Sequence, residues 1–371
     1  MRAFGCPRCH QLVSFENSLC LNCGTSLGYL PQAATMVALA VDEDRPPQYE
    51  DADGASWVPC ANLALASCNW LVLAAADTVF CESCALTRTR PADDDADALV
   101  AFARVETAKR RLVFQLNDLG LPVVDRATDG EHGLAFDLLS SRDSPVVTGH
   151  DDGVVTLDLA EADDPRREAR RVHLGEAYRT LLGHLRHEVG HYFWDVLVGG
   201  TEHLDAFREL FGDESVDYGE ALQRHYAGPP DPEWPESFVS SYATSHPWED
   251  WAETFAHYLH IQDTLQTASA YGISVAGPDA PVRRDPVAPL SARPVDDLAP
   301  IEDISDVIRL WLPLTYALNA VNRSMGRDDL YPFVIPPAVV AKLGFVHDLV
   351  RTAAGRHAAG RRATDRQIAS T

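Results

Sequence analysis

His187-Glu188-Val189-Gly190-His191 sets two imidazoles four residues apart with a carboxylate beside the first. On a helix the two rings project from one face and can share one Zn²⁺, while Glu188 points toward the water that such an ion would activate. Catalytic zinc takes three protein ligands and keeps one position open, so a third donor is required. Downstream lies Ser245-His246-Pro247-Trp248-Glu249-Asp250-Trp251-Ala252-Glu253, where Pro247 suits the first turn of a new helix and puts Glu249 and Glu253 on one face. Glu249 is then the third ligand. Glu253 accepts a hydrogen bond from the free ring nitrogen of a ligating histidine, which fixes that ring's tautomer and direction. Other assignments stay open: Glu249 as a first-turn carboxylate complementing the helix dipole, His246 or Asp250 as ligand instead, and His257 or His260 as weaker candidates. His184 faces the same side as His191 and reads as a packed or supporting histidine. Trp194, Trp248 and Trp251 read as core residues.

A different metal chemistry is carried by eight cysteines, all of which precede Leu86. Such asymmetry argues for metal sites rather than disulfides. Cys6-Pro7-Arg8-Cys9 and Cys20-Leu21-Asn22-Cys23 form two C-x2-C knuckles separated by ten residues, a closed four-thiolate structural zinc site. Metal binding there supplies stability that so short a segment cannot draw from a core. Cys60, Cys68, Cys81 and Cys84 can build a second such site, although only Cys81-Glu82-Ser83-Cys84 has the tight spacing. The competing reading buries Cys60 and Cys68 as small apolar residues. The expected complement is one catalytic and one or two structural zinc ions.

The elements that must position these residues follow from periodicity. A long helix is expected over Leu174 to Val198, ended by Gly199-Gly200, and carries the two histidines. Ala98 to Leu119 has helical spacing of apolar residues and closes on Gly120 and Pro122. Short apolar runs at Leu134 to Leu139, Pro145 to Thr148 and Val154 to Leu159 predict a small sheet. Further helices are expected at Leu204 to Phe211, Asp217 to Tyr226, Pro247 to Thr267 and Ile304 to Asn322, with a surface loop from Gly277 to Pro300. The fold class is α+β. A cysteine-rich module over 1–90 precedes a mainly helical domain over 91–350, and 351–371 reads as a disordered tail.

The chain has 371 residues, 46% of them hydrophobic, with 31 Lys and Arg against 55 Asp and Glu, a net charge of -24. Nucleic acid and anionic lipid are disfavoured partners for such a molecule. Arg88, Arg90 and the Lys109-Arg110-Arg111 run are expected to be solvated faces. No secretory leader pattern is read at the N-terminus, and the most apolar run, Leu63 to Ala76, is too short and polar to span a bilayer. The expected location is the cytoplasm.

Nearly the whole chain resembles the bacterial family of zinc-binding metallopeptidases with an N-terminal zinc ribbon. The resemblance rests on Cys6 to Cys23 followed by Gly28-Tyr29, and on Cys81 to Cys84 with Thr87-Arg88-Thr89-Arg90. It continues through Glu176 to His184 running into His187 to His191, His246 to Tyr258, and Asn322-Arg323-Ser324-Met325-Gly326. It implies a zincin-like domain of the gluzincin type, in which a Glu ligand precedes an acidic residue by four on a second helix. Tyr242 lies seven residues before Glu249, where zincins resembling anthrax lethal factor place an oxyanion-stabilising tyrosine, and that role is implied for it. The implied activity is hydrolysis of a protein or peptide substrate by zinc-promoted water, with Glu188 taking the proton and returning it to the leaving amine. The rival reading is a non-catalytic scaffold whose ribbon recruits a protein partner. Glu188 argues against it, since a purely structural site gains nothing from a base beside its water.

Overall fold

The computed structural model describes residues 2–42, 44–142, 144–163, 180–228, 231–275 and 301–368. Two compact units are present, Met1–Val113 with Val124–Arg167, and Phe114–Val123 with Glu168–Thr371. The expected helix start at Leu174, the family-like stretch Glu176 to Arg179 and the expected loop over 277–300 lie outside the described residues.

The first unit opens with the pair β1 (Phe4–Gly5) and β2 (Leu12–Val13), which flanks the Cys6 to Cys9 knuckle, followed by the hairpin β3 (Leu27–Leu30) and β4 (Thr35–Ala38). A four-stranded antiparallel sheet follows in the order β5 (Ala40–Asp42), β6 (Arg45–Glu50), β7 (Ser56–Pro59), β8 (Leu71–Leu73), with the single turn α1 (Leu63–Ala66) between the last two. Its small core centres on Tyr29, whose ring packs 5.8 Å from Phe15 and 5.1 Å from Trp70. The short α2 (Glu82–Ala85) starts at Cys81, and β9 (Thr87–Thr89) pairs in parallel with β10 (Ala135–Leu139). Strand pairing therefore runs across position 90. α3 (Ala96–Asp118) and the turn α4 (Arg126–Asp129) intervene, and β11 (Gly149–Asp151) and β12 (Val154–Asp158) complete a sheet ordered β11-β12-β10-β9. The strand expected at Pro145 to Thr148 forms four residues later, because Asp152 and Gly153, both at positive φ, make the turn that returns the chain along β12.

The basic run on α3 corrects an expectation. Lys109 and Arg110 are buried rather than solvated. Lys109 pairs at 2.6 Å with Glu106, itself buried, and also donates to Thr87 Oγ1. Arg110 donates to the Ala66 carbonyl at 2.8 Å, and Arg111 forks onto Glu16 at 2.8 and 3.1 Å. Arg88 forks onto Asp137. Buried charges persist only when paired in this way.

The second unit is helical. α5 (Leu181–Leu197) begins at Thr180, whose hydroxyl accepts from the Gly183 amide at 3.0 Å. α6 (Leu204–Phe211) and α7 (Tyr218–Tyr226) follow, then α8 (Pro247–Ala270), α9 (Ile304–Ser324) and α10 (Pro337–Ile368). α10 continues past position 351, where alanines and arginines are strong helix formers, through Ile368. α5 crosses α8 closely at Gly190, where an added Cβ would lie 3.1 Å from the Ala252 Cα and 3.2 Å from its carbonyl oxygen. Around that crossing Phe193 stacks on Phe255 at 5.3 Å, and Trp251 donates to the Gly190 carbonyl at 2.8 Å. Burying each such side chain is worth about 1.5–3 kcal/mol. Among the described residues no helix is long and apolar enough to cross a membrane.

Candidate metal centre

α5 delivers His187 and His191 one turn apart, with their rings 5.0 Å apart at 82°. α8 delivers Glu249 in its first turn, where Pro247 fixes the entry and His246 is the cap. One ligand atom from each of His187, His191 and Glu249 falls within 4.8 Å of the others. Glu249 Oε2 lies 3.0 Å from His187 Nε2 and 3.5 Å from His191 Nε2.

A second row of groups aims the ligands. Glu253, one turn after Glu249, accepts from His187 Nδ1 at 2.7 Å, and its other oxygen accepts from the Ser240 hydroxyl at 2.6 Å. With the proton on Nδ1, neutral His187 presents its Nε2 lone pair to Glu249 Oε2. Two acceptors facing each other at 3.0 Å repel unless a positive charge lies between them. Glu249 Oε2 is buried and receives no hydrogen bond from the described residues. These observations fit a divalent cation held by two imidazoles and one carboxylate oxygen. Electrostatics agree in sign. Burial opposes the ionised form of Glu249, yet His187 and His191 outweigh it and hold the carboxyl well below the ordinary range. Burial opposes protonated His187, yet Glu249 and Glu253 override it and raise that imidazole well above its usual value, so a proton competes with the cation for the place between Nε2 and Glu249.

Glu188 is buried beside the cluster. Tyr242, in a short 3-10 turn spanning Tyr242–Thr244, has its ring 5.9 Å from that of His187. Burial and the neighbouring Glu249 push its phenol far up, so it remains a donor at any ordinary pH. The rival ligands are engaged elsewhere. His246 Nδ1 caps α8 by accepting from the Trp248 amide at 3.1 Å, and Asp250 pairs with buried Lys342 at 2.6 Å. His257 meets the Tyr331 hydroxyl at 2.8 Å, and His260 packs against Trp311 and Tyr331. His184 is not among the clustered ligands. Of the tryptophans, Trp251 is fully buried, whereas the Trp248 ring sits 4.1 Å from that of His191 and walls the site.

Both cysteine quartets converge. Cys6, Cys9, Cys20 and Cys23 form one cluster, with sulfur contacts of 3.7 Å (Cys6 to Cys23) and 3.6 Å (Cys9 to Cys20). Cys60, Cys68, Cys81 and Cys84 form another, entirely buried. In the second, the four sulfurs lie within 4.8 Å of one another, with Cys68 and Cys81 3.6 Å apart, a spacing that suits a shared cation. The reading of Cys60 and Cys68 as isolated apolar residues does not describe this cluster.

Two groups in the centre carried no sequence signal. Tyr218, at the start of α7, donates its hydroxyl to Glu249 Oε1 at 2.6 Å. Ser240 supports Glu253 from a loop. Neither sits at a helical spacing from the residue it touches.

Residues 98–349 match the family described as "Putative zinc-binding metallo-peptidase", and residues 3–95 match a zinc-ribbon domain. Uncharacterized proteins from Mycobacterium tuberculosis (strains H37Rv and CDC 1551) and from Mycobacterium bovis are similar to the chain. Each is 50% identical over 351 residues, covering 94% of this chain and 95% of the relative. No solved structure matches.

Proposed function

Because the chain belongs to this family of zinc-binding metallopeptidases, we propose that it hydrolyses peptide bonds in protein or peptide substrates at the centre formed by His187, His191 and Glu249. The observation that carries the reading is the convergence of those three donors from two helices with Glu188 beside them. When bound, Zn²⁺ supplies a Lewis acid for the scissile carbonyl and brings the pKa of a water toward neutrality. Glu188 accepts the proton from the attacking water and passes it to the leaving amine, the work of a positioned carboxylate. Tyr242, kept protonated, donates to the oxygen on which negative charge develops. His187 keeps one orientation throughout, because Glu253 and Ser240 hold its far side. The two cysteine quartets are read as closed structural zinc sites. Eight free thiols in the chain suit a reducing compartment, and we assign the protein to the cytoplasm.

The test is mass spectrometry of peptides released from a cell extract by the wild type and by Glu188→Gln. New cleavage products are expected with the wild type alone, and zinc content should be equal in the two proteins. Identical peptide profiles would remove the peptidase reading and favour a zinc-stabilised scaffold.

A further inference from the structure

Glu249 has two oxygens, and the site uses them differently. Oε2 faces both imidazoles, whereas Oε1 is occupied by the Tyr218 hydroxyl at 2.6 Å. The Tyr218 phenol hydroxyl, at that distance from a carboxylate oxygen, can only donate to it. It is also anchored from a second direction. His246 Nδ1 accepts from the Trp248 amide, which leaves the proton on Nε2, and Nε2 donates at 3.0 Å to the carbonyl of Val216, two residues before Tyr218. The His246 and Tyr218 rings meet edge to face at 5.3 Å, and Asp217 caps α7 by accepting from the Glu220 amide at 2.7 Å. The residue that starts α8, and hence places Glu249, thereby also places the tyrosine that holds it.

We propose that Tyr218 is a positioning residue for the metal centre, restricting Glu249 to a single oxygen as ligand through its hydroxyl bond to Oε1. A carboxylate free at both oxygens can bind an ion in bidentate fashion and fill the position that catalytic zinc leaves open. The bond to Tyr218 also fixes the carboxylate's direction, the supporting role whose loss generally costs about 10–100-fold in metal affinity. This inference rests on the reading of His187, His191 and Glu249 as ligands and needs no substrate to be tested.

The experiment is chelator competition for the most labile zinc ion of the full-length protein, comparing wild type, Tyr218→Phe, Glu249→Ala and the double variant. Phe keeps the ring and removes only the hydroxyl at a partly exposed position, and circular dichroism melting confirms an unchanged fold. Tyr218→Phe is expected to weaken the labile site by about 10–100-fold. In the Glu249→Ala background the same change is expected to add nothing, since Tyr218 acts through that carboxylate. Tyr316→Phe, at an exposed position on α9, should leave the affinity at the wild-type value. Unchanged zinc affinity in Tyr218→Phe, or an equal loss with and without Glu249, would overturn the proposal. Unchanged peptide profiles in the Glu188→Gln comparison would remove the peptidase reading and leave this one standing.

Discussion

Glu253 ionises far more readily than an ordinary glutamate, with a pKa held down to about 2. Burial alone would raise it, but the hydrogen bond to His187, the charge on that ring and the Ser240 hydroxyl more than compensate. The consequence is a permanent anion behind the first imidazole, which selects the Nδ1–H tautomer and makes Nε2 a stronger donor to a metal. Glu253→Ala is therefore expected to lower zinc affinity by about 10–100-fold without disturbing either cysteine quartet. Chelator competition against total zinc content separates the two effects, and loss of structural zinc in parallel would refute the assignment. The pairs His187 with His191 and Glu249 with Glu253 were legible in the sequence because four residues is one helical turn, so spacing alone sets them on one face. Tyr218 was not legible. It reaches Glu249 across 31 positions from another helix, and no local period encodes that contact.

Gly190 sits inside the motif as a spacer residue, yet it governs how close α5 and α8 can come. A methyl group there would press on the Ala252 backbone at 3.1 and 3.2 Å and on the Phe255 Cβ at 3.4 Å. Backbone cannot rotate away as a side-chain tip can, so relief requires the helices to part. Parting them separates His187 and His191 from Glu249, because the ligands are divided between these two helices. Gly190→Val is expected to destabilise the fold by about 1–3 kcal/mol, the cost of overpacking a filled interior, and to weaken zinc binding at the same time. Urea unfolding with parallel zinc titration tests this, and a loss of stability with full zinc affinity would show that the crossing does not set the site. At this scale α6, α7, α8 and α9 lie within a few residues of their expected spans, since their apolar period is long and regular.

Across the whole molecule, a net charge of -24 suggests that mild acid should help folding by relieving repulsion. Three histidines point the other way. Burial pushes His257 down to about 4 and His260 down to about 3, and it lowers His347 as well. His257 and His260 are neutral in the folded protein at pH 5, while an unfolded histidine, with a pKa of about 6.5, is charged. The unfolded chain thus binds more protons between those values, so the stability these residues contribute is complete above about pH 6.5 and is lost as pH falls toward 4. One histidine accounts for about 1.4 kcal/mol per pH unit within that window. Surface repulsion changes more gently, because exposed charges are screened beyond about 8 Å at physiological salt. These histidines therefore add an acid-sensitive contribution, set against buried Asp250, whose carboxyl burial pushes up to about 7 and which works in the opposite sense. Composition conceals this, just as it concealed the burial of Lys109 and Arg110, because a count of charges does not say which of them face solvent. His260→Phe keeps an aromatic ring against Trp311 and Tyr331 and removes one titrating group. Urea unfolding at pH 7 and pH 5 is expected to show a shallower loss of stability in the variant, by about one proton's slope. Contributions from the metal ligands are common to both proteins and cancel in that difference. Parallel curves for wild type and variant would mean that His260 is charged in the folded state, and the account of acid sensitivity would fall with it.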